Sequence, residues 1–380
     1  MRDGPSAASV DDTPPSHWRS RWLDIGGPVR YLDFGGPAHG PVIVCVHGLG
    51  GSAVNWSAIA PLLTDRCRVL APDLAGHGLT RSAGRGTDVA ANRGLLHRFI
   101  ETVCDGPVIL MGNSMGGMIS LLEASAAAAA VAGLILVDPA LPFAPARPDL
   151  LVAAMFALGG VPGLGRVMLG RLRNLTPEAI VAGALSLCCA DPSRVPPDVI
   201  AEHVQLARQR SGFSEVGRDM SAATRSVIAT AGLGISGQAY RHAIRSITQP
   251  VLLLHGERDR LVPASAARSA ARANPSWALV VLPDAGHVPQ LEVPAACAAA
   301  IVEWLKSAGG PAASAATSRA RLTSRPLRSR PAGRPRWRLL IGRLARSGPQ
   351  DANALPVSRP RPVMSWPDVA KGPAGRDERP

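Results

Sequence analysis

Val108-Ile109-Leu110-Met111-Gly112-Asn113-Ser114-Met115-Gly116 is the stretch on which the fold turns. An apolar run that begins with two β-branched residues reads as a strand, and the segment over residues 115–130 reads as a helix. Between them lies G-x-S-x-G, the pattern of a sharp strand-to-helix turn with a serine at its apex. The spacing has a steric reason. The apical residue holds strained backbone angles, and glycines two positions to either side let the strand and helix backbones pass closely. The hydroxyl then stands at a helix N-terminus, where free N–H groups and the helix dipole favour negative charge. Ser114 is therefore a candidate nucleophile.

The same alternation repeats on both sides of this turn. Upstream, residues 22–25 and 29–34 flank Gly26-Gly27-Pro28 and read as a hairpin. A strand over 42–46 ends in His47-Gly48-Leu49-Gly50-Gly51, a helix is expected over 55–63, a strand over 68–71 and a helix over 89–103. Downstream, strands are expected over 134–137, 251–254 and 277–282, and helices over 264–273 and 289–306. Strands apolar on both faces that alternate with helices imply an α/β fold, a mostly parallel, doubly wound sheet flanked by helices. Over residues 141–246 the strand signal stops and Ala- and Leu-rich helical stretches broken by Pro and Gly take its place, as in an inserted helical cap. The expected organisation is a disordered N-terminus (1–18), a core in two pieces (19–140 and 247–308), the cap (141–246), and a basic, Pro- and Arg-rich disordered tail (309–380).

A chain of 380 residues with 46% hydrophobic content can bury a full-sized core. Its net charge of +13 is concentrated at one end. Residues 309–380 hold 14 Arg and Lys371 against Asp351, Asp368, Asp377 and Glu378, a balance of +11, which leaves +2 for residues 1–308. The body therefore offers no basic face for nucleic acid. Residues 334–344 mix basic and apolar side chains, so weak contact of the tail with an anionic membrane stays open beside the plainer reading, a solvated extension. Six cysteines without CxxC spacing read as reduced thiols, and the first 20 residues lack the apolar core of a signal peptide, so a cytoplasmic protein is expected. Residues 150–169 form the most membrane-like window, but Gly159, Gly160, Pro162, Gly163, Gly165 and Arg166 interrupt it. No His pair has metal-ligand spacing, and neither metal nor cofactor is expected.

With the serine turn placed between a strand and a helix, the sequence resembles the α/β-hydrolase superfamily over residues 22–306. The resemblance implies the chain order Ser, acid, His. His255-Gly256-Glu257-Arg258-Asp259-Arg260-Leu261-Val262-Pro263, after one strand, is similar to the family's acid loop, with the aspartate at Asp259. Asp284-Ala285-Gly286-His287, after the next strand, is similar to its histidine loop. The implied roles are Ser114 as nucleophile, His287 as general base and Asp259 as the acid that orients the histidine. Chemistry demands such partners: a serine hydroxyl is a poor nucleophile at neutral pH and needs a base of suitable pKa within hydrogen-bond reach. Asp138, directly after strand 134–137, is a competing acid because some members use that position, whereas Glu257 and Asp284 read as loop residues. The resemblance also implies an oxyanion hole formed by the backbone N–H groups of Leu49 and Met115. His47 and Gly48 would shape that loop, and Asp73-Leu74-Ala75-Gly76-His77-Gly78 resembles a turn common in the family, with His77 structural.

The implied activity is that of a serine esterase or lipase-like hydrolase acting on a carboxylic ester or related acyl substrate of apolar character through an acyl-enzyme. A serine at the apex separates the chain from epoxide hydrolases and haloalkane dehalogenases of this fold, which use aspartate. Asn113-Ser114-Met115-Gly116 also resembles the turn of carbon–carbon bond hydrolases of aromatic ring-fission products, although Leu49-Gly50-Gly51-Ser52 departs from their usual glycine run and proline. Cofactor-free perhydrolysis uses the same triad, and a hydrolase-fold ligand receptor is the non-enzyme alternative. The cap's Met155 and Phe156 point to an apolar substrate, although such residues also pack a cap's own core.

Overall fold

The computed structural model describes residues 19–142 and 175–307. The expectations for residues 1–18, for the window 150–169 with Met155 and Phe156, and for the tail 309–380 lie outside the described residues.

Eight strands build one sheet: β1 (Arg19–Asp24), β2 (Pro28–Gly35), β3 (Val42–Val46), β4 (Arg68–Pro72), β5 (Val108–Asn113), β6 (Val131–Val137), β7 (Val251–Gly256) and β8 (Ala278–Leu282). Their spatial order is β1-β2-β4-β3-β5-β6-β7-β8. β1 and β2 form the hairpin, and β2 also runs antiparallel to β4; all other pairs are parallel. The hairpin turn needs its glycines, since Gly26 and Gly27 adopt φ of 83° and 118°.

Alternation along each strand divides the core into two apolar layers. In β3, Val42, Val44 and Val46 join Leu95, Phe99, Met118 and Ile119 from α1 (Val89–Val103) and α2 (Met115–Ala126) on one face. Ile43 and Cys45 turn to the other face and meet Trp56, Leu63, Ile301 and Trp304. Strands buried on both sides have no polar face to spare, which is why they read as continuous apolar runs.

Two expected helices differ in detail. Residues 55–63 form two 3₁₀ turns, Ala53–Trp56 and Ala60–Leu63, instead of an α-helix. Ser52 and Asn55 cap the first turn reciprocally, and Pro61 brings no N–H to a continued ladder. Residues 289–306 split at Val293 (φ −136°, ψ 55°), because the residue before Pro294 is pushed off the helical region.

Between β6 and β7 the described residues contain helices and no strand: α3 (Pro177–Cys188), α4 (Pro197–Arg210), α5 (Val216–Ala231) and α6 (Ile235–Arg245). The fully buried Tyr240 donates its hydroxyl to the Ala140 carbonyl (3.0 Å), and the Arg210 guanidinium donates to the carbonyls of Gly76 and Gly78 (3.2 and 2.5 Å). After β7 come α7 (Ala264–Ala273), α8 (Pro289–Glu292) and α9 (Pro294–Lys306). No helix among the described residues is long and apolar enough to cross a membrane.

Candidate active site

Ser114 stands between β5 and α2 at φ 53° and ψ −117°, a left-handed conformation rare for a residue with a side chain. The flanking glycines make it affordable in space: a Cβ on Gly116 would run into the Val46 carbonyl oxygen, and one on Gly112 into the Gly116 carbonyl. Gly48 allows a similar approach, since a Cβ there would lie 3.2 Å from the Ser114 Cβ. The half-buried Ser114 keeps its hydroxyl out of helix capping, while its N–H donates to the Val137 carbonyl (3.1 Å).

His287 is buried and donates from Nδ1 to Asp259 Oδ2 (2.7 Å). That bond leaves Nε2 as the lone-pair nitrogen of the neutral ring. The other Asp259 oxygen accepts the N–H groups of Leu261 and Val262 (2.8 and 3.0 Å). Burial alone would raise the Asp259 carboxyl, but attraction and hydrogen bonding from His287, with help from His255 and the Val262 N–H, hold it below the usual carboxylate range. Backbone bonds from Glu257 N to Leu282 O and from Arg258 N to Ala285 O (both 2.9 Å) keep the two loops side by side.

The histidine loop is fixed from two further directions. Asn113, next to Ser114, donates from Nδ2 to the His287 carbonyl (3.0 Å) and to the Val137 carbonyl (3.1 Å). From the insertion, the Cys188 carbonyl accepts the His287 N–H (2.6 Å). Buried Glu292 accepts from Gly286 N (2.8 Å), Ala190 N (3.2 Å) and Asp191 N (2.8 Å).

In the loop after β3, His47 donates from Nδ1 to the Gly48 carbonyl (2.8 Å) and accepts the Leu74 N–H at Nε2 (3.0 Å). Burial lowers it to about 4, against the Gly48 hydrogen bond, so the ring is neutral and shapes this loop. The N–H groups of Leu49 and Met115 make no hydrogen bond among the described residues, and Met115 as first helical residue has no intrahelical acceptor. The neighbouring turn is organised by Asp73, which accepts from Ala53 N (2.7 Å), Leu79 N (2.8 Å) and Arg30 Nη1 (3.1 Å). His77 is fully buried in it, and burial, with His47 close by, lowers it to about 3.

Asp138 lies at the end of β6 with φ 44°, fully buried, and its Oδ1 accepts the Gly256 N–H (2.9 Å). It is not the acid bonded to His287. Glu257 and Asp284 are exposed, and Asp284 pairs with Arg258 (2.5 Å).

The sequence profile of the alpha/beta hydrolase family matches residues 43–300. The chain belongs to the alpha/beta hydrolase family. Among curated relatives of this hydrolase, the 2-(acetamidomethylene)succinate hydrolase of Mesorhizobium japonicum is 25% identical over 280 residues, 73% of this chain and 91% of that protein. The dihydrolipoyllysine-residue acetyltransferase component of the acetoin cleaving system of Pseudomonas putida is 29% identical over 272 residues; the match covers 71% of this chain and 64% of that protein's length. A thermophilic esterase from Thermogutta terrifontis superposes with a TM-score of 0.55 at 26% identity, covering 77% of this chain and all of that one.

Three residues have bonds around the hydrolase site that the sequence did not reveal. Glu292 follows His287 by five positions in an otherwise apolar and amide segment, and an acid buried there is the one signal that could have marked it. Asn113 was visible only as part of the serine motif. Tyr240 and its Ala140 acceptor are 100 residues apart, so nothing local announces the bond.

Proposed function

We propose that this α/β hydrolase cleaves carboxylic esters or related acyl substrates of apolar character by a serine mechanism. Ser114 attacks the acyl carbon, His287 Nε2 takes the hydroxyl proton and returns it to the leaving group, and Asp259 holds the ring in the tautomer that leaves Nε2 free. The N–H groups of Leu49 and Met115 receive the negative oxygen of the tetrahedral intermediate, a contribution of about 3 to 4 kcal/mol for a well-aimed donor. The acyl-enzyme is then hydrolysed by water activated at the same imidazole.

The observation that carries this reading is the 2.7 Å His287–Asp259 bond in a loop whose backbone is gripped by Asn113, the neighbour of Ser114. The N–H groups of Leu49 and Met115, unengaged among the described residues, support the oxyanion role. Met220 supports the apolar preference: its Cε would meet a Cβ on Gly50 at 3.2 Å, so a thioether methyl covers the loop that carries Leu49. The thermophilic esterase supports ester chemistry as the bond class.

A panel of p-nitrophenyl esters of rising acyl length tests the reading, run with the wild type beside Ser114→Ala. Turnover that depends on Ser114 is expected, with kcat falling by at least about a thousandfold in the variant. Equal rates for the two proteins would remove the assigned nucleophile. Failure of the wild type on every ester would move the function to the carbon–carbon or receptor alternatives.

A further inference from the structure

Two carboxyls and one imidazole share a buried space behind the His287–Asp259 pair. One oxygen each of Asp138 and Asp259 and one ring nitrogen of His255 lie within 4.8 Å of one another, and all three residues are buried. Two negative charges at that spacing, away from water, cannot both persist unless a cation stands between them. His255 does not supply one. Its Nε2 donates to the Val262 carbonyl (2.8 Å), lying only 3.5 Å from Asp138 Oδ1 and 3.6 Å from Asp259 Oδ2, and its Nδ1 is buried without a partner among the described residues. Burial lowers the basicity of the ring against the pull of Asp259, which favours its neutral form. A metal ion fits poorly, because Asp259 is already engaged by two backbone N–H groups and by His287.

The donors decide which carboxyl keeps the charge. Asp259 receives three N–H groups, whereas Asp138 receives one, from Gly256, and its Oδ2 is buried with no donor among the described residues. An oxygen so placed needs a proton of its own.

We propose that Asp138 is held as a neutral carboxylic acid that donates its proton to the Asp259 carboxylate, and so acts as a positioning residue for the acid of the triad. Burial first, then the charge of Asp259 and the hydrogen bond to it, push the Asp138 carboxyl well above its ordinary value, with Glu292 adding to the rise and the Gly256 N–H opposing it. The Cys297 thiol also faces this carboxyl, and burial together with Asp138 raises it too, so it brings no counter-charge. The shared proton restrains the Asp259 carboxylate while His287 bonds to it.

The inference rests on the Ser114–His287–Asp259 reading, and its test has arms that do not need turnover. Asparagine copies a neutral aspartic acid, with an oxygen for Gly256 N–H and an N–H for Asp259. A carboxyl whose folded pKa is raised contributes stability that is complete below the unfolded value and is lost as pH rises through the folded one. The melting temperature of Asp138→Asn should therefore match the wild type near pH 3.5, below the unfolded carboxyl value, and exceed it increasingly as pH rises toward 9. A carboxylic-acid C=O stretch present in the wild type at neutral pH should vanish in the same variant. In kinetics, Asp138→Ala should lower kcat about tenfold or more at similar KM, and Asp138→Asn should restore it to within about threefold. A stability difference flat across pH, no protonated-acid band, or an Asp138→Asn enzyme as impaired as one that has lost its triad acid would each overturn the proposal. If Ser114→Ala kept full ester turnover, the nucleophile assignment would fail, while the infrared and melting arms would still report on the carboxyl pair.

Discussion

The sheet and the helices α3 and α4 of the insertion are held by different balances of forces. Every residue of β3, β5 and β7 is buried, so the strand ends that carry the serine and acid loops are fixed by many apolar contacts that act together. By contrast, α3 buries only Val181 and Leu185, and α4 only Val199 and Leu206. α5 and α6 join the sheet's apolar layer through Ala223, Ala231, Tyr240 and Ile244, whereas α3, α4 and the segment between them add directional bonds: Arg210 to the Gly76 and Gly78 carbonyls, and the backbone around Ala190 to Glu292. Apolar burial is non-directional and large in sum, whereas each hydrogen bond contributes about 1 kcal/mol net. The contrast teaches that the loops carrying Ser114 and Asp259 depend on packed backbone, while α3 and α4 lean more on single polar contacts.

Three substitutions test that contrast, in falling order of effect. Asp259→Asn, in a loop fixed by the sheet, should reduce kcat on a good ester about 10⁴-fold with the melting temperature little changed, because asparagine stabilises the wrong tautomer of His287. A loss below about tenfold would break the link between this loop and the chemistry. Gly116→Ala should destabilise by about 3 kcal/mol in urea unfolding, since its Cβ collides with the Val46 carbonyl in a region that cannot yield. Tyr240→Phe removes one hydrogen bond between insertion and core and should cost about 1 kcal/mol, with the rate on the ester used to test the proposed function within about twofold of wild type. If Tyr240→Phe proved more damaging than Gly116→Ala, the insertion would be structurally dominant and the contrast would invert.

Much of this was written locally. Apolar runs such as 108–111 and 251–254 need no tertiary information to be seen as buried strands, because no surface strand would carry them. Prolines account for the helical differences: Pro61 and Pro294 break ladders that Ala- and Leu-rich composition would have continued. The resemblance of its loop assigned Asp259 as the acid, yet Asp138 stayed a competitor for a physical reason. Both follow strands of the parallel sheet, β6 and β7, which are neighbours, so both carboxyls arrive in one place and only the donors around them distinguish their parts. Glu292 and Asn113 were silent because their acceptors and donors are backbone atoms of distant residues, which any sequence supplies equally well.

The bond from His287 N–H to the Cys188 carbonyl, with Glu292 clasping Ala190 and Asp191, has a consequence for protein engineering. Swapping the whole of 141–246 for a homologous segment to change selectivity would exchange part of the frame that holds His287, the proposed base. Chimeras should therefore keep residues 188–191 native, with graft junctions outside that short stretch.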